Sequence, residues 1–116
     1  AIFTFYQLSK VVKAIGNGIG YVSIFAGRIM DSGTNAEGII KQAVKETSRY
    51  SNQEVIWAST RESYNIIQAD RCGCHIITCT PDLIKKTLLF GKNLQDYSRE
   101  TVEMFHKDAL ESGYEL

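Results

Sequence analysis

No sign of charge dominates this chain. Thirteen Lys and Arg residues are matched by thirteen Asp and Glu, so no whole-chain field draws in DNA, RNA or an anionic membrane, and any anion site has to be local. No apolar run approaches the ~20 residues that span a bilayer. The opening AIFTFYQLSK also lacks the basic leader and cleavage site of a signal peptide. A cytoplasmic protein with neither a nucleic-acid nor a membrane partner is the expectation. Low-complexity tracts are missing too, and an apolar share of 44% with 22% charged residues excludes a fibre or a disordered tail.

Cysteine is sparse. Cys72, Cys74 and Cys79 are odd in number and crowd around one strand-like stretch, which argues against structural disulfides. Cys72-Gly-Cys74-His75 lacks both the spacer and the second ligand pair of a zinc site, so no metal is expected and the thiols are read as reduced and largely buried. Nucleotide motifs are absent as well. No Gly-x-Gly-x-x-Gly or Walker pattern occurs, and Gly16-Asn17-Gly18-Ile19-Gly20 follows a helix and leads into a strand, the reverse of a phosphate-cradling loop. No cofactor is expected.

What is present alternates between two periods. Residues 1–4 are apolar and β-branched and predict a strand, and residues 6–15 carry Leu8, Val11, Val12 and Ile15 at helical spacing, stopped by Gly16-Asn17-Gly18. Residues 21–25 predict a second strand, followed by a loop over 30–35. Residues 36–50 predict a helix with Ile39, Ile40, Ala43, Val44 and Thr47 as one stripe. EVIWA, residues 54–58, is a third strand and residues 63–71 a third helix, ended by Gly73. Residues 75–78 form the fourth strand. Pro81 opens a helix to residue 90, closed by Gly91, and a last periodic segment over 98–110, ending at Gly113, is expected to pack back as a covering helix.

Four strand-helix units in succession, with strands apolar on both faces, indicate the α/β class with a parallel sheet, in a single domain over residues 1–116. Two architectures fit: a small open doubly-wound sheet, or part of a (β/α)8 barrel, which normally needs ~250 residues. In either, the loops after the carboxyl ends of the strands form the active face. They hold Thr4-Phe5, Ala26-Gly27-Arg28, Ser59-Thr60-Arg61 and Thr78-Cys79-Thr80. An arginine offers a rigid fork of donors suited to phosphate oxygens, and Gly27 permits a ligand to approach the backbone closely. Arg28 and Arg61, with the Ser59 hydroxyl between them, are therefore candidates for an anion clamp. The structural alternative for either arginine is an ion pair with Asp31 or Glu62.

Other chemistry-bearing residues sit elsewhere. His75 opens a strand and so faces the opposite end of the sheet, and His106 lies among Glu103, Lys107 and Asp108 on a solvated helix. Lys10, Lys13, Lys41, Lys45, Lys85, Lys86, Lys92 and Lys107 all fall on helices or helix ends, so none is placed as a buried Schiff-base amine.

Ser23-Ile24-Phe25-Ala26-Gly27-Arg28-Ile29, followed by Asp31, resembles the sixth-strand signature of the transaldolase family. Trp57-Ala58-Ser59-Thr60-Arg61 is similar to its seventh-strand motif, and the flanking Ile2-Phe3-Thr4-Phe5-Tyr6-Gln7 and Ile76-Ile77-Thr78 fit as well. The resemblance covers essentially the whole chain. It implies half of a TIM barrel, strands five to eight with their helices. It also implies that Arg28, Ser59 and Arg61 bind a sugar-phosphate group, while Ser23 and Phe25 wall the pocket. Ile24 stands where the family often has proline, and Thr60 where it often has an aromatic, which bears on the pocket's finer shape.

Family chemistry uses a fourth-strand lysine to form a Schiff base with a ketose and then transfers a three-carbon dihydroxyacetone unit to an aldose phosphate. The resemblance implies that this lysine precedes Ala1, so the chain is expected to be truncated at its N-terminus, to keep the phosphate-binding half and to be inactive alone. Half a barrel leaves sheet edges and an apolar inner face open, so a homodimer or higher oligomer is expected to cover them. The alternative is a complete, non-catalytic phosphosugar-binding or structural α/β module. A flavodoxin-like regulatory domain is a further reading, but the strand ends lack its acidic pocket.

Overall fold

A computed structural model describes residues 2–112. Ala1, the expected start of the first strand, and Gly113, the expected end of the last helix, lie outside the described residues. The chain divides into two units, Ala1–Lys85 and Lys86–Leu116.

In the first unit, Thr4 caps helix α1 (Phe5–Ile15). Its Oγ1 accepts from the Gln7 N–H at 3.2 Å, while Gln7 Oε1 accepts from the N–H groups of Phe3 and Thr4 at 2.8 and 3.2 Å. The first expected strand is thereby shortened, because capping takes Phe3 and Thr4 and leaves an isolated parallel bridge between Ile2 and Ile24. Gly16 ends α1 at φ +51°, a conformation glycine adopts without a Cβ penalty.

Strands β1 (Gly20–Ile24), β2 (Gln53–Trp57) and β3 (Ile76–Ile77) form one parallel sheet in the order β1-β2-β3. Val22 pairs with Val55 and Ile24 with Trp57. These four side chains are fully buried and belong to one core with Leu8 and Val12 of α1 and with Ile39, Ile40 and Ala43 of helix α3 (Glu37–Thr47). Helix α4 (Tyr64–Arg71) adds Ala69. Gln53 is buried at the start of β2, and its Nε2 donates to the carbonyls of Val12 and Gly16, tying the sheet to the end of α1. The alternate residues of the strands are far less buried. Tyr21 and Glu54 are exposed, and Ser23, Ile56 and Ile76 half-buried. The strands are therefore one-sided, where the apolar runs had predicted burial on both faces.

Two elements differ from expectation for identifiable reasons. The fourth expected strand, residues 75–78, contracts to two residues because side chains take the place of its ladder. His75 Nδ1 accepts from the Val55 N–H at 2.9 Å, and the Cys74 thiol donates to the Val55 carbonyl at 3.3 Å. Residues 26–31, expected as a strand-end junction leading into a loop, instead wind into the short helix α2 (Ala26–Asp31), whose Ala26 and Ile29 are buried. Helix α5 (Pro81–Lys86) then opens at the expected proline.

In the second unit, a 3-10 turn (Thr87–Leu89) replaces the rest of the helix expected to reach residue 90, and helix α6 (Leu94–Glu111) starts before residue 98. Asn93 causes the early start, since its Oδ1 accepts from the N–H groups of Gln95 and Asp96 at 2.9 and 3.2 Å. Lys92 pairs with Glu100, and Arg99 with Asp96 and Glu103. Among the described residues no helix is long and apolar enough to cross a membrane.

Candidate anion site at the strand ends

Parallel pairing places the carboxyl ends of β1 and β2 side by side, and the chain there is locked by backbone contacts. The Ala58 N–H donates to the Ile24 carbonyl at 2.8 Å, the Gly27 N–H to the Ala58 carbonyl at 3.4 Å, and the Thr78 N–H to the Trp57 carbonyl at 3.0 Å. Three strand-end loops are thus stitched together in one row. Ser59 sits at φ +61°, a left-handed conformation costly for a residue with a Cβ.

Gly27 belongs to this stitching, which corrects the expectation that its missing side chain makes room for a ligand. A Cβ there would stand 1.4 Å from the Ser59 carbonyl oxygen and 3.1 Å from Ser59 Oγ. The space beside Gly27 is filled by the neighbouring loop. Gly27 and Ser59, picked out from separate motifs, are in contact.

Arg28 lies on α2 with its side chain exposed, its Cζ 6.0 Å from the centre of the Phe25 ring. Phe25 stands in turn 5.8 Å from the Phe3 ring. Arg28 makes no ion pair with a carboxylate among the described residues. Arg61 does: its Nη2 lies 3.1 Å from Asp31 Oδ2, with the two side chains 49% and 56% exposed. That is one of the ion pairs named as the structural alternative. At this exposure it contributes at most about 1 kcal/mol, too little to keep a doubly charged ligand from the guanidinium. Ser23 is half-buried in β1, paired in register with Ile56.

Two clefts open at these loops. One, about 260 Å³, is lined by Gly27, Asp31, Arg61, Glu62, Asn65 and Gln68 among others. The other, about 300 Å³, is lined by Ser59, Thr60, Thr78, Cys79 and Thr80, four hydroxyls and a thiol. Burial pushes the Cys79 thiol above its ordinary range, as it does those of Cys72 and Cys74, so none is poised as a thiolate nucleophile. All three are free, and among the described residues no group of three His, Cys, Asp or Glu side chains could hold a metal ion.

One residue of the site carried no signal in the sequence reading. Asn65, buried in the first turn of α4, accepts at Oδ1 from the Arg61 N–H at 3.1 Å and from the Glu62 N–H at 3.0 Å. Its Nδ2 donates to Gln68 Oε1 at 2.8 Å. The only hint was an amide side chain on a helix otherwise described by its apolar stripe.

Comparison with known proteins adds to this geometry. A family model described as Transaldolase/Fructose-6-phosphate aldolase matches residues 1–115. A probable transaldolase 2 of Listeria monocytogenes is 35% identical over 108 residues, covering 92% of this chain and 46% of that protein. A probable transaldolase of Methanococcus maripaludis is 34% identical over 92 residues, 78% of this chain and 42% of its own length. The 6-deoxy-6-sulfo-D-fructose transaldolase of Priestia megaterium is 34% identical over 93 residues, 79% of this chain and 40% of its own. The chain spans less than half the length of these relatives.

Proposed function

Because the chain belongs to the transaldolase and fructose-6-phosphate aldolase family, we propose that it supplies the phosphate-binding part of an enzyme that moves a dihydroxyacetone unit between sugar phosphates through a lysine Schiff base. The observation that carries this is the pair of strand-end arginines. Arg28, on α2, and Arg61, on the loop after β2, follow adjacent parallel strands at the same end of the sheet, where Gly27 and Ser59 are in contact. In this reading the two guanidinium groups and the Ser59 hydroxyl bind the phosphate dianion. Asp31 holds Arg61 until the ligand arrives, and Ser23 and Phe25 line the wall toward the sugar. The sulfonate-bearing ketose in the name of one relative has a terminal anion at the same position of the sugar, which agrees with a site built around a terminal anion.

The same reading takes the sheet as half of a TIM barrel, equivalent to strands five to eight. The one-sided burial of β1 and β2 supports it, since barrel strands turn one face to the helices and the other inward. All eight lysines lie on helices or in the turns beside them, so the Schiff-base amine is assigned to a part of the enzyme outside this chain. A second copy of the chain is proposed to cover the less buried sheet face, where Tyr21 is 61% exposed. Sedimentation at micromolar concentration is expected to give at least a dimer, and a clean monomer mass would remove that part of the proposal.

Inorganic phosphate titrated by calorimetry tests the arginines. Arg28→Ala is expected to weaken binding about tenfold, the worth of one charge-assisted contact, with an unchanged melting temperature. Lost stability with unchanged affinity would instead mark Arg28 as structural. In a second arm, borohydride reduction in the presence of fructose 6-phosphate should leave this chain unlabelled. A covalent adduct on it would overturn the assignment of the lysine elsewhere.

A further inference from the structure

We propose that Asn65 is a positioning residue that shapes the Arg61 loop for anion binding, an inference that rests on reading Arg61 as a phosphate ligand. Asn65 is only 4% exposed, and a polar side chain so buried is retained where its hydrogen bonds do something an apolar residue cannot. Here two of the three go to one place. Oδ1 takes the N–H groups of Arg61 and Glu62, and Gln68 takes Nδ2, which fixes which way the amide points.

Two consequences follow from the chemistry. Arg61 and Glu62 precede α4, and their N–H groups would otherwise be free donors at a helix start, able to bind any anion or water and to let the loop adopt several shapes. With both taken by Asn65, the anion is left to side chains, and the Arg61 Cα is held relative to α4. Asp31 meets the other end of the same residue at the guanidinium, 3.1 Å away, in an exposed and therefore weak pair. Arg61 is thus held at its backbone, so the base of its side chain is placed before the ligand arrives and less freedom is lost on binding.

The test compares the wild-type chain with Asn65→Ala, Asn65→Asp and Arg61→Ala in phosphate titrations, and follows amide hydrogen exchange at residues 61 and 62 by NMR. Asn65→Ala is expected to weaken phosphate binding about tenfold and to speed exchange at those two amides at least as much, with the β1 and β2 amides unchanged. Asn65→Asp keeps the acceptor and is expected to restore protection at both amides. Arg61→Ala is expected to lose binding. Wild-type affinity in Asn65→Ala, with binding lost in Arg61→Ala, overturns the positioning role alone, whereas wild-type affinity in Arg61→Ala overturns the phosphate reading and this inference with it. Should Asn65→Ala not fold, the wild-type chain and Asn65→Asp decide: unprotected amides at residues 61 and 62 in either would overturn the clamp.

Discussion

Replacing Gly27 by alanine is expected to destabilise the chain by about 3 kcal/mol, the upper end for forcing atoms into a packed site. The added Cβ would meet the Ser59 carbonyl oxygen at 1.4 Å and its carbon at 2.6 Å, both backbone atoms. Backbone cannot swing aside as a side-chain end can. Ala58, the preceding residue, is also held by its 2.8 Å hydrogen bond to Ile24, so relief requires breaking the strand-end stitching itself. Gly38 is the internal control. It lies in α3 with nothing within 4 Å of an added Cβ, and Gly38→Ala should stabilise by about 0.5–1 kcal/mol through helix propensity. Urea midpoints for the two variants should move in opposite directions, and a wild-type midpoint for Gly27→Ala would refute the contact.

Trp57→Ala is expected to cost about 3–5 kcal/mol, the range for emptying a large aromatic from a core. Trp57 is the largest fully buried side chain, and it stands on the central strand, flanked in register by Ile24 and Ile77. Trp57→Phe should cost much less than the lost ring suggests. The indole Nε1 is buried without a hydrogen-bond partner among the described residues, so phenylalanine removes an unsatisfied donor along with the ring. Denaturant unfolding distinguishes the two. A loss below about 1 kcal/mol for Trp57→Ala would mean that the core tolerates a cavity there.

How much of this was legible depended on what each element leaves in the sequence. Helices α3 and α4 and strands β1 and β2 announced themselves through periodicity, because burial on one face imposes a pattern several residues long. Helix α2 did not, since six residues leave no room for a period. β3 was overestimated because an apolar run does not reveal that His75 and Cys74 use side chains where a strand would use backbone. Asn93 was a readable cap that the apolar stripe of α6 obscured.

The site divides in the same way. Arg28, Ser59 and Arg61 could be named because they sit at strand ends, and Asp31 because it is a carboxylate near one of them. Asn65 was invisible, since its partners are main-chain N–H groups that every residue except proline possesses. Gly27 was the right residue with the wrong neighbour. Its lack of a side chain signals close approach, and the fold brings Ser59 to it.

The stitching of the loops also orders events in time. The grip of Asn65 on residues 61 and 62 spans three or four positions and can form with α4 itself. The Asp31–Arg61 pair spans thirty and, like the Gly27–Ser59 contact, exists only once β1 and β2 have aligned. The Arg61 loop can therefore take shape with α4 alone, while the Asp31 contact to its guanidinium waits for the non-local alignment of β1 and β2. An anion bound as proposed by both arginines would bind the folded chain and not the unfolded one, and by mass action it would stabilise the fold.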